Sequence, residues 1–414
     1  MSAAAAGETH VASGVGTLCG SLGLLATRRF GTFWFASLLS SIGTWAQQVA
    51  EPWLLLTLGA SSFLIGLDSF AATAPAWVLT LFGGALADRF DRRRVITLFQ
   101  SIQMLCPIAI VVLLIAGRVR PWMIIVLSVV VGVTDALSMP SFQSIVPSIV
   151  SRDEIPAGLA LNSTQFSLSR ILGPSIAGFL MSSAGTVACF VLSAASYVPF
   201  IGVALWILPR WTAESPNAGA PPRPFAGIGG VLRQPDLRGV LLTVLASSLF
   251  CAPLVTFSPV LARDVFHASA GQFSAAVASF GAGGLLGAIS LLSVGPSVDR
   301  RRLSVYAAIA SGALVVLVAI NPWFWGLPPL FVAAGATMTI SNTSANTLLQ
   351  AAASPHALGQ AVSLYMLALG AGFSVGALLT GAMVSAIGVQ PALLIDGIAA
   401  VVVQIVVRFG RGML

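Results

Sequence analysis

Apolar and polar positions alternate in long blocks along this chain. Apolar runs of roughly 20 residues, the length that carries a helix across a bilayer, recur from position 33 to position 407. They predict about twelve spans. The first six cover 33–58, 64–86, 95–116, 122–146, 158–181 and 186–208. The second six cover 240–260, 275–293, 303–320, 330–349, 362–386 and 393–407. The fifth and tenth are the most interrupted, being rich in Ser, Thr and Asn. Between the sixth and seventh, the stretch 209–236 breaks the pattern with Glu214-Ser215-Pro216-Asn217-Ala218-Gly219-Ala220-Pro221-Pro222, a linker composition.

The expected fold is an all-α membrane protein with about twelve transmembrane helices in two pseudosymmetric six-helix bundles. Its expected parts are a flexible cytoplasmic tail (1–27), a first bundle (28–208), a cytoplasmic linker (209–237) and a second bundle with a short tail (238–414). The stretch from Phe225 to Leu237 is read as a short helix on the membrane surface.

Composition narrows the class. Hydrophobic residues make up 57% of the chain and charged residues 8%. A soluble chain cannot cover its surface with so few charges. The net charge of +7 comes from arginine alone, because the chain has no lysine. The arginines sit in short loops between apolar runs, which is a topology signal and not a nucleic-acid footprint. With the N-terminus inside, sixteen arginines face the cytoplasm, only Arg118, Arg120 and Arg263 face out, and Arg170 lies within a span. The expectation is a multi-pass protein of the cytoplasmic (inner) membrane with both termini cytoplasmic. Cys19, Cys106, Cys189 and Cys251 form no C-x-x-C pair, and His10, His267 and His356 are isolated. No metal site and no cofactor is expected from them.

The two halves echo one another. Gly84-Ala85-Leu86-Ala87-Asp88-Arg89-Phe90-Asp91-Arg92-Arg93-Arg94 lies between spans two and three. A weaker copy, Gly295-Pro296-Ser297-Val298-Asp299-Arg300-Arg301-Arg302, lies between spans eight and nine, with Asp299 read in the place of Asp88. Gly173-Pro174-Ser175-Ile176-Ala177-Gly178 in span five is matched by Gly370-Ala371-Gly372-Phe373-Ser374-Val375-Gly376 in span eleven. Parallel repeats of this kind place a binding site between the bundles near mid-membrane.

The first loop cluster resembles the signature G-x-L-A-D-R-x-G-R-R of the major facilitator superfamily, with Asp91 in place of the second glycine. The D-R-x-D-R-R form is similar to the branch of secretion-type efflux proteins that contains the enterobactin exporter. Ser40-Ser41-Ile42-Gly43-Thr44-Trp45, Arg152-Asp153-Glu154-Ile155-Pro156 and the run from Leu161 to Pro174 fit the same branch. The sequence departs from proton-coupled relatives in two places. Span four has Gly132-Val133-Thr134-Asp135 where R-x-x-Q-G is usual, and the loop after span ten has no arginine. The resemblance implies a gating role for Gly84, Asp88, Arg89, Arg92, Arg93 and Asp299. It also implies a kinked moving element at Gly173, Pro174 and Gly178, where proline removes a backbone bond.

Charges within a bilayer are costly and face a cavity or a partner. The candidates are Glu51, Asp68, Asp135, Arg170 and Asp396, the last read as interfacial. Ser41, Thr44, Gln48 and Glu51 fall on one helical stripe, as do Asn162, Gln165 and Ser169, and also Thr339, Asn342, Asn346 and Gln350. These stripes are read as lining a substrate or proton pathway, against plain polar packing between helices. Asp135 is open to two readings, a proton carrier or a fixed partner of Arg170. The function expected is export of a small organic molecule (siderophore, drug or secondary metabolite) by alternating access and proton antiport, by a monomer in the lipid bilayer. Uptake and lysophospholipid flipping are the alternatives of the same fold. A receptor or an enzyme fits less well, since no nucleotide loop or nucleophile constellation is present.

Overall fold

The structure, a computed structural model, describes residues 23–208, 235–292, 298–352 and 358–409. The first half contributes α1 (Arg28–Thr57), α2 (Ser62–Thr73 and Pro75–Arg89), α3 (Arg92–Ile115), α4 (Pro121–Gln143), α5 (Ile155–Ser183) and α6 (Thr186–Trp206). The second contributes α7 (Pro235–Phe250), α8 (Ala270–Leu292), α9 (Arg300–Ile320), α10 (Leu327–Ala352), α11 (Leu358–Ile387) and α12 (Val389–Phe409). Ten of these helical units are long and apolar enough to cross a membrane. The other two, α1 and α5, have 30 and 29 residues and so have the length. They carry the polar stripes, which lower their hydropathy.

Prolines account for the irregular places. Pro75 starts a new helical segment, so α2 is broken at Ala74 instead of running unbroken. Beyond α7, Pro253 and Pro259 divide the chain into short turns before a π-helical segment, Leu261–Val265. The expected tail also needs correcting at its inner end. Leu24–Ala26 form a 3-10 turn, and Leu24 is buried against Phe30, Phe33 and Trp34. The rest of that tail, most of the linker and the surface helix expected within it lie outside the described residues. Positions 235–237 already belong to α7.

Small residues let the helices of each bundle approach backbone to backbone, the usual device where lipid gives no hydrophobic drive between helices. A Cβ on Gly83 would meet the carbonyls of Ala136 and Leu137, which ties α2 to α4. A Cβ on Gly335 would lie 2.0 Å from the Phe280 carbonyl oxygen, which ties α10 to α8. Gly43 packs on Ser193 and Ser196 across α1 and α6. In the second half the buried Gln404 amide donates to the Thr243 carbonyl at 3.0 Å and to Ser247 Oγ at 3.2 Å, across α12 and α7. The pairs α2–α4 and α8–α10, and α1–α6 and α7–α12, are thus equivalent contacts in the two halves.

Two seams join the bundles, α2 with α11 and α5 with α8. On the first, Gly66 faces the Ala377 carbonyl and Gly381, and the Phe63 amide donates to Ser385 Oγ at 2.8 Å. Thr73 and Ser374 share a hydroxyl hydrogen bond farther along. On the second, Gly178 meets Ser274, Gly271 meets Ser182, and Gly281 meets the Arg170 backbone. Trp53 of α1 stacks on Phe273 of α8, with centroids 5.3 Å apart. These approaches occupy the half of the molecule nearer the arginine-poor face, where α1 ends and α2 begins. Below Thr73, contact between α2 and α11 thins out.

At the opposite, arginine-rich face, α5 starts from a capping box. Ser151 donates its amide to Glu154 Oε2 at 3.1 Å and its hydroxyl at 2.6 Å. The Ser151 hydroxyl, then its amide, hold the Glu154 carboxyl below the usual carboxylate range. A depressed carboxyl stabilises the fold above its unfolded pKa and loses that contribution as pH falls through its folded value. Below roughly pH 4, the protection of the amides of residues 157–159 against hydrogen exchange should therefore fall. Glu154→Gln should remove this pH step. A step of equal size in the variant would assign it to another group.

Candidate functional site

Sequence register sets the depth of each polar group. At 1.5 Å per residue, Trp45 lies about 18 Å from the arginine-poor end of α1 and Asp135 about 21 Å from that end of α4. By the same 1.5 Å rise, Thr73 lies about 17 Å from that end of α2 and Arg170 about 20 Å from that end of α5. All four therefore share one level near the middle of the helices. At this level Thr73 bonds Ser374 on one seam and Gly281 meets the Arg170 backbone on the other.

At this level Arg170 and Asp135 are exposed. The Arg170 guanidinium lies over the Trp45 ring, 5.4 Å from its centroid. Phe166 meets the same ring edge-on at 6.0 Å. Near Asp135, Gln103 is buried on α3. Among the described residues no ion pair links Asp135 to Arg170. Of the two readings of Asp135, the structure does not support the fixed pair.

The α1 stripe divides. Ser41 accepts from Gln165 Nε2 of α5 at 2.9 Å, and Thr44 Oγ1 lies 3.5 Å from Tyr197 Oη. Gln48 is exposed. Glu51 turns into the N-terminal bundle, where Gln47 donates to Glu51 Oε2 at 3.3 Å and Ser128 Oγ lies 2.8 Å from Oε1. Ser128 Oγ is also 2.6 Å from Asp68 Oδ1. Asp68 is 6% exposed and Glu51 half-buried, so a polar cluster sits in the bundle above that level. Gln47, Gln103, Ser128 and Tyr197 were not found from sequence. A 3.6-residue count offers both Gln47 and Gln48 as neighbours of Glu51, and packing selects the first. Ser128 sits in a wholly apolar run and gives no signal.

Other candidates fall elsewhere. Asp396 is not interfacial: it is 4% exposed and accepts from Thr380 Oγ1 at 2.7 Å. The side-chain oxygens of Asn162 and Asn342 are buried without a protein partner among the described residues. Asn346 accepts from Gln350 at 3.1 Å. Gly173 packs on Trp45 within the N-terminal bundle, while Gly178 belongs to the α5–α8 seam. Pro174 is buried within α5. A surface groove of about 510 Å³ between Leu25, Phe35 and Pro199 lies apart from all these groups.

The loop motif is re-registered. Asp91 caps α3 by accepting from the Arg93 amide at 3.1 Å. Asp299 caps α9 by accepting from the Arg301 and Arg302 amides at 2.9 and 3.3 Å. Asp299 is thus the counterpart of Asp91, not of Asp88, because D-R-R-R starts the third helix in each half. Arg302 also pairs with Asp299 at 3.2 Å. Gly84 and Asp88 stand in the last turns of α2. Of the loop arginines, Arg89 is exposed and Arg92 and Arg93 are half-buried.

Two six-helix bundles joined along two seams, with Gln48, Asp135 and Arg170 exposed near mid-level, are the architecture of the major facilitator class, and the family that the chain matches is one of transporters and not of enzymes. The chain belongs to the transmembrane secretion effector family, whose model matches residues 19–411. It is 26% identical over 399 residues to the multidrug efflux pump Tap of Mycolicibacterium fortuitum, covering 91% of this chain and 94% of that one. It is 25% identical over 373 residues to the enterobactin exporter EntS of Salmonella typhi, covering 88% and 87%. Identity is 24% over 265 residues with the staphyloferrin A transporter of Staphylococcus aureus (strain NCTC 8325 / PS 47), where the match covers 63% of this chain and 66% of that protein. The crystal structure of the nucleoside transporter NupG superposes with a TM-score of 0.72 at 15% identity, covering 92% of this chain and 98% of that one, and shows the fold alone.

Proposed function

We propose that this protein exports a small organic molecule across the cytoplasmic membrane by alternating access, in exchange for protons. The observation that carries the reading is that Asp135 and Arg170 are both exposed at one mid-helix level, with Arg170 and Phe166 on the Trp45 ring, below two closed seams. The arginine distribution orients the chain with both termini and the linker in the cytoplasm. In that orientation the exposed mid-level groups lie on the cytoplasmic side of the seams and the closed face points outward, which is the loading state of an exporter. Named relatives carry siderophores or drugs, which supports a substrate of that size.

Everted membrane vesicles containing the protein test this directly. An acid-inside gradient should drive uptake of at least one compound from a panel of siderophores, antibiotics and dyes. Nigericin should abolish that uptake. Uptake driven only by the reverse gradient would overturn proton-coupled export. No uptake of any panel member by well-folded protein would overturn the substrate class.

A further inference from the structure

Three helices bring oxygens together around one hydroxyl. Ser128 Oγ lies 2.6 Å from Asp68 Oδ1, 2.8 Å from Glu51 Oε1 and 3.1 Å from the Ile124 carbonyl oxygen. A hydroxyl carries a single hydrogen. An ionised carboxylate and a carbonyl offer only acceptors. With both carboxyls ionised, Ser128 donates to one of them and faces the other oxygen to oxygen, with no hydrogen between. Both short contacts become hydrogen bonds when one carboxyl carries a proton and donates it to Ser128. Ser128 then donates its own hydrogen to the second carboxylate, which is closer than the Ile124 carbonyl.

Among the described residues, no cation supplies an alternative. Around the pair, α1 contributes Gln47, α3 contributes Cys106, and α6 contributes Ser193 and Tyr197. Gln47 is held by Ser193, which donates to its Oε1 at 2.7 Å and so turns its amide nitrogen towards Glu51. Arg170 on α5 lies over Trp45, about 9 Å along α1 from Glu51 at 1.5 Å per residue. The α11 helix, which packs on α2, contains no charged residue.

We propose that Glu51, Ser128 and Asp68 form a proton-binding site that holds one proton in this conformation and thereby keeps the arginine-poor face closed. The link to closure is α2 itself. Asp68 stands between Gly66 and Thr73, both of which make the seam with α11. Release of the proton leaves two carboxylates facing one hydroxyl, and relief of their repulsion requires α2 to turn or shift against α1 and α4, which displaces the opposite face of α2 that carries Gly66 and Thr73 in the seam. The proton leaves a carboxyl oxygen for water and returns to a carboxylate, so no other reactant is required. This proposal rests on the transport reading and names the group that couples the proton to it.

Infrared spectroscopy of purified protein in nanodiscs tests the site without any substrate. The background is Asp396→Asn, which silences the other buried carboxyl. The carboxylic-acid C=O band should be present at neutral pH and should survive Asp135→Asn. It should vanish in Glu51→Gln and in Asp68→Asn, because each new amide donates to Ser128 and frees the remaining carboxyl to ionise. Ser128→Ala keeps both carboxyls and removes the donor to the charged one, so a second proton binds and the band should grow towards twofold. A band missing from the background protein, retained in either single variant, or unchanged in Ser128→Ala would overturn the proposal. The vesicle assay reports separately on export, so the proton site can fail while export stands.

Discussion

Replacing Gly66 by Leu should abolish transport and expose the α2–α11 seam to the arginine-poor side, while the chain stays folded. Gly66 sits where a Cβ would lie 2.3 Å from the Ala377 carbonyl oxygen and 3.3 Å from Gly381. Neither neighbour is the end of a flexible side chain, so the helices must separate. Each bundle keeps its own packing, because the contacts within it involve other faces of α2 and α11. The closed arrangement is therefore penalised relative to the alternative, and the population shifts by the difference between the two states. A cysteine at Thr73 in a cysteine-free background reports the shift. Labelling by an impermeant maleimide from outside right-side-out vesicles should rise at least about tenfold, which corresponds to about 1.4 kcal/mol. Unchanged labelling together with normal transport would show that this seam is not what closes that face.

The second large effect separates Arg170 from Asp135. Arg170→Met should reduce efflux of anionic compounds about tenfold or more and leave cationic dyes largely unaffected, since it removes the exposed cation at mid-level. Asp135→Asn should do the reverse. The two changes should act independently on stability, because Arg170 leans on Trp45 and no ion pair joins it to Asp135 among the described residues. A double-mutant cycle on thermal unfolding should give a coupling energy below about 0.5 kcal/mol. Rescue of a destabilised Asp135→Asn by Arg170→Met would instead reveal an ion pair. An unpaired guanidinium near mid-membrane is costly, and the Trp45 ring offsets part of that, about 0.5–1 kcal/mol at an exposed site.

The loop cluster shows where reading a repeat can slip. Its two copies share the string D-R-R-R, yet the first copy holds two aspartates three positions apart. Matching Asp299 to Asp88 keeps an aspartate–arginine pair, and matching it to Asp91 keeps the helix start. Only the second match puts each aspartate on the amides of the following turn, as the caps of α3 and α9 show. The second half therefore has Pro296 where Asp88 stands in the first. Any gate built on Asp88 is one-sided.

The all-α architecture, the spans and the division into halves were determined by the sequence, because a bilayer imposes one requirement on length and apolarity at every crossing. Arginine placement likewise carried the orientation expected for it, and the D-R-x-D-R-R motif carried the family. Helical periodicity put Ser41, Thr44, Gln48 and Glu51 on one broad stripe, but a stripe about 100° wide does not say which edge meets a partner. Tertiary packing decided that Glu51 turns inward with Gln47 while Gln48 stays exposed. It also brought Asp68 and Ser128 to Glu51 from helices that start far apart in the chain, and it left Arg170 with an aromatic ring instead of Asp135. Local spacing encodes which residues share a helix face. Which faces meet depends on glycine contacts such as Gly83 with Ala136 and Gly66 with Ala377, whose partners no local pattern names.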